Sequence, residues 1–117
     1  MRDHTKLKAF ELADRLVLMV YQVTRLFPKE ELFGLTAQLR RSAVSVPSNI
    51  VEGCARHTEA DYVHFLDVAY GSSRELQYQL SLSVRLGFLQ DPQEIEQLSE
   101  ETAKVLNGLI RALRQDR

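Results

Sequence analysis

Apolar residues recur every three or four positions along four stretches of the chain, with polar or chain-breaking residues between them. In the first stretch Leu12, Leu16, Met19, Val20, Val23 and Leu26/Phe27 trace one face of an amphipathic helix from about Lys8 to Phe27, ended by Pro28. A second row, Phe10, Ala13, Val17 and Tyr21, makes the apolar sector wider than one buried face needs and points to a further contact surface. After Lys29-Glu30-Glu31-Leu32-Phe33-Gly34 the spacing resumes with Leu35, Leu39, Ala43, Val46, Ile50 and Cys54, which predicts a second helix from about Gly34 to Ala55. Pro47 lies inside it, removing one backbone donor and crowding the preceding turn. A kink between Ala43 and Pro47, or a break into two helices, is expected there.

Thr58 followed by Asp61 resembles a capping box, so a third helix is predicted from Glu59 to about Leu86, stopped by Gly87. Its core stripe reads Tyr62, Phe65, Leu66, Ala69, Ser73, Leu76, Leu80 and Val84. Gly71-Ser72-Ser73 interrupts it midway. Glycine costs about 1 kcal/mol in a helix interior, so this set reads as a notch where another backbone approaches. Asp91-Pro92-Gln93-Glu94 is a cap, a first-turn proline and an acidic residue at the third position, opening a fourth helix to about Arg114. Ile95, Leu98, Thr102, Val105, Leu109 and Leu113 form its apolar stripe. Short connections between long helices predict an all-α, antiparallel up-down-up-down four-helix bundle. It occupies residues 1–117 as a single domain, with frayed tails at 1–6 and 115–117.

On a helical wheel of about 100° per residue, Gln38, Arg41, Ser45, Ser48, Asn49 and Glu52 of the second helix share one sector. The stripe lies between the Leu35/Leu39/Val46/Ile50 row and Ala37, Val44 and Val51. It reads either as a solvated face, as a hydrogen-bonded network against a neighbouring helix or subunit, or as a ligand site. Amide, guanidinium, hydroxyl and carboxylate groups can satisfy one another, which favours the network.

Composition narrows the function classes. Apolar residues make up 44%, charged residues 26%, and Gly and Pro are scarce, so the chain has the make-up of a folded helical protein. The polar start Met1 to Lys6 lacks the features of a secretory signal, no stretch is long enough to span a bilayer, and the lone Cys54 suits a reducing compartment. A cytoplasmic location is expected. His4, His57 and His64 are not at metal-ligand spacing, and neither a P-loop nor a Ser-His-Asp order occurs. No enzyme, no metal and no cofactor is therefore expected. The net charge of −1 gives no long-range pull on nucleic acid, so such binding has to rest on a local set: Arg25, Lys29, Arg40, Arg41, Arg56 and His57.

The run from Phe27-Pro28-Lys29-Glu30-Glu31 through Leu35-Thr36-Ala37-Gln38-Leu39-Arg40-Arg41-Ser42-Ala43-Val44-Ser45-Val46-Pro47-Ser48-Asn49-Ile50-Val51-Glu52-Gly53 resembles the signature of the 23S ribosomal RNA intervening-sequence proteins, also called the four-helix bundle protein family. The likeness continues through Tyr62, Phe65-Leu66, Ala69 to Leu76 and Leu86 to Leu89. It implies a bacterial four-helix bundle without assigned enzymatic activity that assembles as a homopentameric ring, with RNA or DNA as candidate partners. Similar proteins include the accessory variability determinant of diversity-generating retroelements, which implies an alternative role beside a reverse transcriptase. The family pattern falls on Gln38, Arg41, Ser45, Pro47, Asn49, Glu52 and Gly53, most of them members of the polar stripe.

Overall fold

The computed structural model describes residues 2–115 as four long helices. They are α1 (Lys8–Thr24), α2 (Leu35–Cys54), α3 (Glu59–Arg85) and α4 (Gln93–Gln115). Short 3₁₀ turns occupy His4–Lys6 and Lys29–Glu31, and no strand occurs among the described residues.

Side-chain pairings give the sense of each packed pair. Arg41 meets Glu75, Ser45 meets Ser72 and Gly53 abuts Tyr62, so numbers rise along α2 as they fall along α3. Arg114 pairs with Asp67, while Ser99 and Leu80 line one groove, so α3 and α4 also run in opposite directions. Arg40 Nε donates to Thr24 Oγ1 at 2.9 Å, and Arg2 N–H donates to the Cys54 carbonyl at 3.0 Å, which sets α1 antiparallel to α2. Residues 2–6, expected as a frayed tail, are thus tied down, with Asp3 Oδ1 accepting from both the N–H and the hydroxyl of Thr5. Of the expected C-terminal tail, Gln115 closes α4 and residues 116–117 lie outside the described residues.

The core falls into two clusters. Ala9, Val46, Ile50, Tyr62, Leu66, Leu106 and Ile110 belong to one, and Leu12, Leu16, Leu39, Leu76, Leu80, Ile95 and Leu98 to the other. Burial of each large aliphatic side chain contributes roughly 1.5–3 kcal/mol relative to exposure. Between the two clusters the helices carry small polar residues, Ser42, Ser73 and Thr102, all without measurable exposure. The stripe read from α4 missed Leu106 and Ile110, which are buried, whereas Val105, Leu109 and Leu113 are half-buried.

Local signals explain the boundaries. Thr58 Oγ1 accepts from Asp61 N–H at 3.1 Å, capping α3 as the Thr-x-x-Asp spacing predicted. At the other end of α3, Gly87 takes φ +80°, Phe88 N–H donates to the Ser83 carbonyl and Gly87 N–H to that of Val84. This double bond pattern is a Schellman ending, which needs a left-handed residue at that position. Helix α1 stops at Thr24, earlier than expected. Phe27 then turns inward against Phe88, with ring centroids 5.7 Å apart, while Leu26 is 86% exposed. Helix α2 passes through Pro47 as one α-helix, not two; the buried proline ring occupies a position where the helix lacks one N–H donor.

The notch expected at Gly71 lies elsewhere. A Cβ on Gly71 would meet nothing within 4 Å, so no backbone approaches there. The close approach is at Gly53, where a Cβ would lie 3.0 Å from Phe65 Cβ and 3.2 Å from the Tyr62 carbonyl oxygen. Ser72 does take part in the α2–α3 contact, bonded to Ser45, and Ser73 is fully buried.

Candidate assembly and nucleic-acid surfaces

The polar stripe of α2 lies along its seam with α3. Arg41 Nη2 donates to Gln38 Oε1 at 2.8 Å and to Glu75 Oε2 at 3.4 Å, and Gln79 Nε2 reaches the same Glu75 oxygen at 3.4 Å. One level on, the Ser45 and Ser72 hydroxyls bond at 2.8 Å, and Asn49 Nδ2 donates to the Ser45 carbonyl and hydroxyl at 2.8 and 3.0 Å. Glu52 pairs with Arg56 at 2.8 Å. Ser48 points outward with Gln38, Arg41 and Glu52, while Ser45 and Asn49 are half-buried. The stripe therefore touches α3 at two points, Ser45 to Ser72 and Arg41 to Glu75, with Ser45 and Asn49 half-buried and its other members exposed. Ser45 and Asn49 make their hydrogen bonds within the chain. The α3 partners of the stripe, Ser72 and Glu75, have no signal in the α2 sequence, since a wheel of one helix cannot say which neighbour faces it.

The six basic candidates do not form one surface. Arg25, Lys29 and Arg40 line a single groove of about 320 Å³ with Thr24, Pro28 and Thr36. Arg40 is fixed there by Thr24 Oγ1 and by the Tyr21 ring, 4.6 Å from its guanidinium carbon. Arg56 and His57 lie sixteen residues or more further along the chain from Arg40, about 24 Å by helical rise, at the opposite end of α2. Arg56 is also committed, covering the Phe65 ring at 4.7 Å and holding Glu52. Arg41 leans to the α3 side.

Charge and titration at the far end follow from packing. Burial, above all, pushes the Tyr62 hydroxyl from 10.0 up to about 12, with neighbouring Cys54 adding to the rise and Arg2 opposing it. The Cys54 thiol is raised from 9.0, again chiefly by burial. A buried thiol with a raised pKa is a packed side chain, not a nucleophile.

Large apolar side chains are exposed where α1 passes into α2: Leu26 at 86% and Phe33 at 93%, with Leu32 beside them. Leu86, on the α3–α4 connection, is also exposed. A groove of about 350 Å³ lined by Val23, Leu26, Pro28, Gly87, Phe88 and Leu89 joins the two connections. The sequence pattern placed Leu26 in the core because three-and-four spacing continues past the true end of α1. No helix among the described residues is long and apolar enough to cross a membrane.

Comparison with known proteins places this geometry. No curated protein is significantly similar to the chain. A crystallised protein of unknown function from Bacteroides thetaiotaomicron, described as belonging to the S23 ribosomal protein family, superimposes with a TM-score of 0.80 at 23% identity, covering 88% of this chain and 95% of that one. At that identity the likeness is one of fold. Residues 5–110 match the family described as 23S rRNA-intervening sequence protein, nearly the whole bundle, and the chain belongs to that family.

Proposed function

We propose that the protein is a non-enzymatic, self-associating scaffold or binding protein of the cytoplasm, assembling as the homopentameric ring that its family resemblance implies. The observation that carries this reading is the exposed apolar set at one end of the bundle, Leu26, Leu32, Phe33 and Leu86. A small monomer rarely leaves such a cluster in water, and a repeated contact between copies removes it. Sedimentation equilibrium at micromolar concentration tests the proposal. The expected mass is a multiple of 13.4 kDa, reduced toward the monomer by the double substitution Leu26→Ser with Phe33→Ser. A wild-type monomer would sink the reading.

The groove of Arg25, Lys29 and Arg40 favours a second role, weak and sequence-tolerant binding of RNA or DNA. None of the three has a carboxylate within ion-pair distance among the described residues, and Arg40 is held in place by Thr24 and Tyr21. Repeated round a ring, the groups would neutralise several phosphates despite the near-neutral net charge. Fluorescence polarisation with labelled RNA and DNA should show binding that falls with salt and with Arg25→Ala/Lys29→Ala. Absence of binding at low salt would remove this role and leave self-association standing.

A further inference from the structure

We propose that the groove between α3 and α4 is a receptor site for a guanidinium or primary ammonium group carried on an alkyl stem. The groove measures about 260 Å³ and is lined by Gln77, Leu80, Glu96, Ser99 and Glu100. That is smaller than the roughly 300–1,000 Å³ of sites for drug-sized ligands, and matches one side-chain head and its stem.

The lining offers four oxygen-bearing acceptor groups of three kinds: two carboxylates, one amide and one hydroxyl. Ser99 is 1% exposed, and its Oγ has no hydrogen-bond partner among the described residues. Gln77 Oε1 is buried and unpartnered as well. A buried polar atom left in this state costs about 1–3 kcal/mol, so the fold holds two acceptors at a cost that a donor would relieve. Glu96 and Glu100 stand one turn apart on α4, where like charges repel by a few tenths of a kcal/mol, and a cation between them removes that cost too. Leu80 supplies an apolar wall for methylene groups.

The donor count selects the ligand class. A guanidinium presents five N–H donors in a planar fork and an ammonium three, each gaining strength from a charged acceptor. Among the described residues no group of three or more His, Cys, Asp or Glu side chains is placed to hold a metal ion. The chain's own cations leave room. Lys104 holds Glu100 at 3.6 Å with both side chains well exposed, Arg74 bonds the Tyr70 hydroxyl at 3.2 Å, and Glu96 has no ion pair among the described residues.

Such a group has two sources, a basic side chain of a second copy, for which Arg25 and Lys29 are available, or a free alkyl cation. Titration of the ¹⁵N-labelled protein with butylguanidinium, followed by NMR, tests the site itself. Tetramethylammonium, equal in charge but without N–H donors, is the control. Saturable shifts at the Ser99 amide and the Gln77 side-chain amide are expected with butylguanidinium alone, weakened about tenfold or more by Glu96→Gln/Glu100→Gln and reduced by Ser99→Ala. No saturable shift at low salt, or an equal response to tetramethylammonium, would overturn the proposal. Sedimentation with the same reagents distinguishes the sources: a bound butylguanidinium that lowers the assembled mass has displaced a neighbour's side chain, and one that leaves the mass unchanged marks a site for a free cation. A monomer that still binds butylguanidinium would refute self-association and keep the site, and an assembled protein that does not bind it would do the reverse.

Discussion

Two glycines in neighbouring helices should respond to the same substitution with opposite signs. At Gly71, in the exposed interior of α3, an added methyl meets nothing within 4 Å. Gly71→Ala therefore gains the helix propensity of alanine and nothing else, a stabilisation of about 0.5–1 kcal/mol. At Gly53 the same methyl would sit 3.0 Å from Phe65 Cβ, 3.2 Å from the Tyr62 carbonyl oxygen and 3.3 Å from Tyr62 Cδ1. Carbon atoms prefer about 3.5–4.0 Å, and two of the three obstacles are a Cβ and a backbone oxygen, which cannot swing aside. Relief requires α2 and α3 to separate near their shared end. Overpacking of this kind costs about 1–3 kcal/mol, against less than about 1 kcal/mol of propensity gained so close to the end of α2. Gly53→Ala should thus lose about 1–2 kcal/mol, and the two variants should differ by about 2 kcal/mol. In melting temperature that separation is roughly 8 °C. Urea unfolding followed by circular dichroism, at one protein concentration and with the slope checked for constancy, reads the difference directly. Both variants moving in the same direction, or Gly53→Ala matching the parent, would refute the argument that α3 packs closely against Gly53 and leaves Gly71 open.

Thr58→Ala removes the hydroxyl that caps α3 and should cost about 1 kcal/mol in the same assay, recovered by Thr58→Ser. A double-mutant cycle on Arg41 and Glu75, both substantially exposed at 3.4 Å, should return a coupling no larger than about 1 kcal/mol; a larger value would mean that the pair is shielded from water, as at an interface between copies. Tyr62 fixes a pH dependence. Its hydroxyl is neutral in the folded chain to about pH 12 but ionises near 10 when unfolded, so its stabilisation is complete below pH 10 and declines as pH rises from 10 toward 12. Cys54 acts in the same direction from pH 9 upward. Urea midpoints between pH 8 and 11.5 should fall more steeply for the parent than for Tyr62→Phe, and equal slopes would contradict the burial of that hydroxyl.

Most of the fold was legible because its signals are local. The Thr58 cap, the Gly87 stop and the helical periods of Leu39 to Cys54 or Tyr62 to Leu80 depend on residues within a turn or two of one another. What escaped depends on the neighbour. Leu26 and Phe27 continue the same spacing, and only the turn after Thr24 decides that one points out and the other in. Gly71 looks like a contact point by composition, yet the place of closest approach is set by how α2 lies on α3. The Gln38 to Glu52 stripe was visible as a stripe, but which of its members meet α3 depends on Ser72 and Glu75. The α3–α4 groove was invisible for the same reason, since Gln77 and Ser99 become neighbours only in the packed bundle.

The tie at the start of the chain makes Cys54 a reporter of local opening. Arg2 bonds the Cys54 carbonyl at 3.0 Å and its guanidinium carbon sits 4.0 Å from the centroid of the Tyr62 ring, while the chain's single thiol lies beneath at 1% exposure. A thiol reagent reaches that sulfur when this corner lifts, well before the rest of the bundle has to unfold. Its labelling rate is therefore a clock for one corner of the molecule, and Arg2→Ala, which keeps the backbone bond but lifts the guanidinium off the Tyr62 ring, should make that clock run faster without changing the global unfolding transition.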